Sequence, residues 1–464
     1  MLESRVRMIG YLTVIIFLAL ATGCSFINNP PIPNTVPTEA AGTPLPLSES
    51  SRMLPFAGLE LRTIGAGVPS LDLAQATGAR WARFPVRWDR LEPEPADPPY
   101  YHWSWYDGQL RSISEHGFQI VVTLRESPTW ASPTRCGPLN EQGRAAYPRM
   151  LRDVVGRYSA SPYNVKHWEI FNEPDNADPV KFPLLGGCWG GQPAAYAELL
   201  KIAYTTIKSV DPEATVIFGG LALEKFDGSP FNVDFLKQVL EAGGAPYFDW
   251  VSFHYYAAFS YRWDRFGHGV EGKVNYIRKI MKDAGVEKPV ACSEIGQPSA
   301  GPAAEKYSDE LQVAQVIKEH AQAAAADLRF AIWYCLQDVG GDERMFGLLD
   351  TVGRPKPAYT AYQTVVRALN EARFERVLSP EETGSAKIEA FAFYSSTAPS
   401  AKLLIAWRTE AGAVLPLPLP TAKAIIIDAT GNETEVVDGG TGDLNPATGA
   451  LSVGIGPAPV LVKY

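Results

Sequence analysis

The chain is poor in the residues that build metal and redox centres. It holds five cysteines and six histidines in 464 residues, with no CxxC pair and no histidine cluster. The spacing therefore offers no ligand set for a metal. Basic charge is short as well. Against 51 Asp and Glu stand 42 Lys and Arg, a formal net charge of −9, which excludes the basic footprint of a nucleic-acid binder. No GxGxxG follows the first strand-like run, which removes the main support for a dinucleotide-binding open sheet. No segment recurs at a solenoid period.

What is present is apolar and aromatic. Hydrophobic residues make up 46% and aromatics 11%, with 11 Trp and 20 Tyr, enough for a large core and more than one domain. Most of these aromatics read as core filler, although ring faces also suit the apolar faces of sugars. The N-terminus has a different design. Arg5 and Arg7 precede an apolar run from Met8 to Ala21, and Ala21-Thr22-Gly23-Cys24 follows. A charged start, a short apolar run and small residues describe an export signal over residues 1–24. Cys24 after Gly23 resembles the bacterial lipobox, which implies lipidation of Cys24 and an extracytoplasmic, cell-surface or secreted protein. An uncleaved anchor is the alternative. Residues 25–52, rich in Pro, Ser, Thr and Asn, read as a tether. In an oxidising compartment Cys136 and Cys188, both in loop-like stretches, can pair, whereas Cys292 and Cys335 sit in apolar runs and read as buried thiols.

From residue 53 to 372, short runs dense in Val, Ile, Phe and Trp alternate with helix-like stretches such as 194–210 and 309–327. The runs are 55–61, 81–86, 118–124, 165–171, 215–220, 248–254, 289–294 and 329–335. Eight strands alternating with helices predict a parallel (β/α)8 barrel. After residue 374 the helices stop. IEAFAFYSS, KLLIAWRT, AIIIDATGN, ETEVVDGG and APVLVKY predict a small antiparallel β-sandwich over 374–464, expected to pack against the barrel.

In such a barrel the working side chains project from the C-terminal strand ends. The fourth strand ends in Asn172-Glu173-Pro174 and the seventh in Ser293-Glu294. Two carboxyl groups across a cleft are what glycoside hydrolysis requires: one protonated to assist the leaving oxygen, one charged to attack or to activate water. Asn172 and Glu173 are neighbours, so period-2 alternation would turn them to opposite faces. A bulge or turn at the strand end would let both face the mouth. Arg83 on the second strand, His254 and Tyr256 at the end of the sixth, Trp333 on the eighth and Trp130 after the third are the other candidates. Glu169, two residues inside the fourth strand from Phe171, is expected to be buried, paired and structural. Glu126 is a rival acid, fit for either a ligand contact or a loop salt bridge, and Trp189 could reach the cleft or cap it.

WEIFNEPD, SFHYY, ACSEIG and AIWYCLQD, in that order on the expected strands, resemble the clan A retaining glycoside hydrolases. WARFPVRWDRLEP and FGLLDTVGRPKPAY, running into a C-terminal sandwich, are similar to glycoside hydrolase family 39, with family 5 a neighbour. The resemblance implies a retaining β-glycosidase acting on oligo- or polysaccharide, with Glu173 as acid/base and Glu294 as nucleophile. It implies that Asn172 bonds the sugar 2-hydroxyl and that Arg83 keeps the nucleophile ionised. His254 and Tyr256 would line the catalytic subsite, and Trp333 would form a platform under the reacting sugar. No cofactor is expected, since two carboxylates suffice. The alternatives are a surface glycan-binding lipoprotein and an envelope transglycosidase on the same barrel.

Overall fold

The computed structural model describes residues 56–464 apart from 62–69, 179–188, 225–228, 261–262, 264, 303–306, 341–343, 399, 446 and 448. The export signal, the tether, Cys24 and Cys188 lie outside the described residues. Among those described, no helix is long and apolar enough to cross a membrane. Cys136 is disulfide-bonded, and Cys292 and Cys335 are buried thiols.

Eight parallel strands close into a barrel in sequence order. They are β1 (Ala57–Glu60), β2 (Trp81–Arg87), β3 (Gln119–Arg125), β4 (His167–Asn172), β5 (Thr215–Leu221), β6 (Trp250–Tyr255), β7 (Val290–Ile295) and β8 (Ala331–Trp333). Each lies within the run expected for it or ends one residue beyond it. Helices follow the strands, including Pro193–Val210 and Asp309–Ala325.

The barrel interior is stacked in layers, each fed by alternate strands, as the period of two requires. Trp81, His167, Trp250 and Phe330 form the floor. Ring centroids are 4.8 Å apart for Trp81–His167, 5.3 Å for His167–Trp250 and 5.1 Å for Trp81–Phe330. Burial pushes the His167 pKa down to about 4, so the ring is neutral there. Val121, Ile217 and Ala291 lie above, with Ile332 in the same apolar cluster. On β1 this level is a glycine by necessity, because a Cβ on Gly58 would stand 2.6 Å from that of Trp81. Two residues beyond the floor on β2, β4 and β6 come Arg83, Glu169 and Ser252, and there the interior becomes polar.

The C-terminal part is antiparallel. Its strands are β9 (Ala372–Val377), β10 (Ile388–Ser395), β11 (Lys402–Arg408), β12 (Leu415–Leu419), β13 (Lys423–Ile427), β14 (Glu433–Val437), β15 (Leu451–Ile455) and β16 (Val460–Lys463). Six form one sheet in the order β14-β13-β16-β11-β10-β9, and β12 pairs with β15. Alternation sorts the six-stranded sheet cleanly. Phe391, Phe393, Leu403, Ile405 and Trp407 join the barrel's outer core. Their neighbours Ala390, Ala392, Leu404 and Ala406 pack with Leu417, Leu419, Leu451 and Val453 of the β12–β15 pair. The sheet thus packs against the barrel, as expected. It also starts earlier than expected, since β9 begins at Ala372, two residues after the helix Pro357–Asn370.

Candidate active site

The mouth of the barrel is organised by one guanidinium. Arg83 is almost fully buried and donates from Nε to Glu169 (2.7 Å), from Nη1 to Glu294 (2.6 Å) and Glu60 (3.1 Å), and from Nη2 to Asn172 Oδ1 (2.5 Å). The planar fork of arginine allows this many partners at fixed angles. Glu169 also accepts from Thr123 Oγ1 (2.7 Å) and Ser252 Oγ (2.6 Å). Burial pushes its pKa up, but the charge of Arg83 and the hydroxyl donors outweigh that and hold it below the ordinary value. Glu169 is therefore a buried, charged partner of Arg83, the structural role its position predicted.

Asn172 and Glu173 both reach the mouth because β4 leaves regular geometry at its end. Phe171 has φ +63° and Glu173 φ +45°, left-handed values that few non-glycine residues adopt. Phe171 is thereby sent into the outer core, 5.4 Å from the Trp189 ring, rather than following Glu169 inward. The twist brings β4 hard against β5, and glycine admits it. A Cβ on Gly219 would stand 2.3 Å from the Ile170 carbonyl oxygen and 2.5 Å from that of Phe171. Further register shifts occur in the pairs β5–β6, β6–β7 and β7–β8 toward their C-terminal ends. Irregular strand ends of this kind re-aim side chains beside functional sites.

Glu173 and Glu294 face one another. An oxygen of each, with a ring nitrogen of His254, falls in a group no more than 4.8 Å across. His254 Nδ1 stands 3.0 Å from Glu173 Oε1 and 3.3 Å from Glu294 Oε2. Burial, reinforced by the charge of Arg83, pushes the His254 pKa well down, so the ring is neutral. The two acids have contrasting surroundings. Burial, followed by the charges of Glu294 and Asp175, lifts the Glu173 pKa well above the ordinary range, and its Oε2 has no hydrogen-bond partner among the described residues. Glu294 accepts from Arg83 on one oxygen and from the Tyr256 hydroxyl on the other. Burial and the Glu294 charge raise the Tyr256 pKa, which keeps the phenol a donor. The three groups could span a cation, yet the guanidinium 2.6 Å from Glu294 already supplies the positive charge there.

Arg83, Asn172, Glu173, His254, Tyr256 and Glu294 are thus brought together. Trp333 is not. Its indole is fully buried outside the barrel wall, stacked on His320 of the helix Asp309–Ala325 at 6.1 Å, with Nε1 donating to the Phe346 carbonyl (3.2 Å). Phe330 and Ile332 point inward, so Trp333 between them and Tyr334 must point out. The aromatic that β8 brings toward the mouth is Tyr334, half-buried, 6.2 Å from the Tyr256 ring and 5.4 Å from that of Phe346. Trp130 goes elsewhere too: it lies edge-on to Trp88 at 5.4 Å and donates to the Glu92 carbonyl (3.1 Å). Glu126 is held in a loop salt bridge by Arg125 (3.0 Å) and Arg135 (3.3 Å). Trp189 is a cap, packed on Phe171 and so close to Gly137 that a Cβ there would stand 2.4 Å from the indole. Two residues were missed. Glu60 ends an apolar strand, the same signal that marked Glu173 and Glu294, and counting in twos from Phe330 finds Tyr334.

No family model and no curated protein sequence matches the chain. Solved structures do. A family 39 glycoside hydrolase from the gut symbiont Bacteroides cellulosilyticus WH2 superposes with TM-score 0.66 at 23% identity, over 88% of this chain and 80% of that one. A glucosidase from Croceicoccus marinus gives 0.62 at 16%, over 89% and 95%. A family 30 endoxylanase from Clostridium papyrosolvens C71 gives 0.59 at 11%, over 89% and 97%. At these identities the likeness establishes a shared fold, the barrel and C-terminal sheets that these glycoside hydrolases have in common.

Proposed function

We propose that the protein is a retaining β-glycoside hydrolase that works on oligo- or polysaccharide by double displacement. The observation that carries the reading is the pair Glu173 and Glu294, with oxygens inside a group 4.8 Å across and opposite electrostatic surroundings. Retaining enzymes hold their two carboxyl groups about 5 Å apart, whereas inverting enzymes separate them by roughly 6.5–9.5 Å to seat a water. Glu173, kept protonated by burial and by the charge opposite, gives its proton to the glycosidic oxygen. Glu294, oriented by its bonds from Arg83 and Tyr256, attacks the anomeric carbon through its carboxylate and becomes a glycosyl ester. Glu173, now ionised, takes a proton from the water that hydrolyses the ester. Asn172, its carbonyl oxygen on Arg83, bonds the sugar 2-hydroxyl. Tyr334, rather than Trp333, supplies the aromatic face under the ring. The intact donor set around both carboxyls weighs against a binding-only role.

Azide added to Glu294→Gly should restore turnover and yield an α-glycosyl azide, because the small anion attacks from the vacated face. A β-azide from that variant would exchange the two roles. We also propose that the enzyme acts outside the cytoplasm, tethered through Cys24. The disulfide at Cys136 supports this, since such bonds persist in oxidising compartments. Radiolabelled palmitate retained by the wild type and lost in Cys24→Ala would bear this out, and equal labelling would refute it.

A further inference from the structure

Three carboxyl groups compete for Arg83, and the chemistry proposed above removes the charge of one of them in every turnover. Glu169 is fixed by three donors and takes no part in the reaction. Glu294 and Glu60 share the same nitrogen, Nη1, at 2.6 and 3.1 Å. The sharing is built into the sheet, because Glu60 and Arg83 are in-register partners on β1 and β2 and Glu294 reaches them across the mouth from β7.

We propose that Glu60 is a positioning residue that releases its proton when Glu294 is esterified and takes one back when Glu294 is freed, so that Arg83 stays neutralised through both halves of the cycle. This rests on the retaining reading of the same site. The groups acting on Glu60 are Arg83 on β2, Glu294 on β7, Arg125 on β3 and Glu169 on β4. On its other flank β8 contributes Ala331, Ile332 and Trp333, followed by Tyr334 and Cys335.

In the resting site two charged carboxylates already face one guanidinium, and Glu60 makes the longest of the three contacts. Burial first, and the Glu294 charge among the weaker causes, lift its pKa to about 7. At pH 6 roughly nine-tenths of Glu60 therefore carries its proton. Esterification changes both conditions at once. The Glu294 charge disappears, and Arg83 loses its partner at 2.6 Å. The Glu60 O–H bond then breaks, its proton passes to water, and the new carboxylate takes up the guanidinium. Hydrolysis of the ester restores the Glu294 charge, and Glu60 is reprotonated from solvent. An Arg83 left with one anion fewer would pull on Asn172 and Glu169 instead and shift the groups that hold the sugar.

The test is a proton count. The probe is a 2-deoxy-2-fluoro-β-glycosyl fluoride, xylosyl or glucosyl according to which aryl glycoside the protein cleaves. The C–F bond breaks, fluoride leaves without a proton, and Glu294 stays esterified. Glu173, raised by burial first and then by the Glu294 charge, loses that charge too, so any proton it gives up appears equally in every variant that keeps it. At pH 6 in weak buffer with an indicator dye, the wild type should release about one proton more per labelled Glu294 than Glu60→Gln does. Equal release from both overturns the role of Glu60 and leaves the retaining reading standing. Absence of the ester on Glu294 overturns the retaining reading itself, and this inference with it. Should Glu60→Gln fold poorly, Glu173→Gln, which has no proton to give at that position, decides instead: near one proton per labelled Glu294 supports the proposal and near none refutes it.

Discussion

At the floor of the barrel, Trp81, His167, Trp250 and Phe330 close on one another as four rings. Two residues further along three of the same strands, Arg83, Glu169 and Ser252 form a charged, hydrogen-bonded layer. The difference shows how one set of strands separates two tasks. The floor removes large apolar surface from water, and its His is neutral. The mouth holds several ionisable groups out of water, which is unfavourable unless each is paired, and its open positions are where a ligand would bind. Apolar packing is concentrated at one end of these strands and ionisable groups at the other.

The division can be broken from either side. The largest effect belongs to the mouth. Glu173→Gln should lower kcat/KM for β-aryl glycosides by about 10²–10⁴-fold, and Glu294→Gln by more, with thermal unfolding close to that of the wild type. Next comes Arg83→Leu, which leaves Glu169 and Glu294 without their cation. It should cost about 3–5 kcal/mol of stability as well as activity, read by denaturant unfolding, and a merely inactive, fully stable variant would contradict the shared-cation account. Trp81→Ala at the floor should lose a similar amount, about 3–5 kcal/mol, while what remains folded keeps the wild-type pH profile. A shifted profile would mean that the two ends are not separable.

Smaller effects sharpen the picture. The folded-state pKa of Glu60 is raised from 4.5 to about 7. The stability this contributes is complete below the unfolded value near 4.5 and is lost as pH rises through about 7, a fall of roughly 3 kcal/mol at most. Glu60→Gln should flatten the decline of unfolding temperature between pH 5 and 7, and parallel curves for the two proteins would refute it. Last, Tyr334→Ala should raise KM several-fold with little change in stability, whereas Trp333→Phe should lower stability modestly and leave KM alone. The reverse pattern would restore Trp333 to the mouth.

The eight barrel strands were legible because each is a short run of β-branched and aromatic residues between helical stretches. The functional pair was legible because a carboxylate ending such a run has no packing reason to be there. Other features depend on parity and local strain that residue types do not declare. Trp333 and Tyr334 are adjacent aromatics, and only the inward direction of Phe330 and Ile332 decides between them. The left-handed Phe171 and Glu173 make Asn172 and Glu173 face the same way; the need for a bulge or turn was visible, its place at these residues was not. Trp130 follows a strand at the mouth, yet its indole turns back to Glu92. In the second sheet, β12 reads Leu415-Pro416-Leu417-Pro418-Leu419 and hid behind its prolines. They occupy outward positions of a two-stranded pair, where no ladder donor is needed.

The central claim is that Glu173 and Glu294 act as a close pair in a double displacement. The most direct measurement is the anomeric configuration of the first-formed sugar, followed by proton NMR during hydrolysis of the aryl β-glycoside cleaved fastest. The geometry predicts that the β-hemiacetal appears first and mutarotates to the mixture. An α-hemiacetal appearing first would mean single displacement by water and would contradict the account.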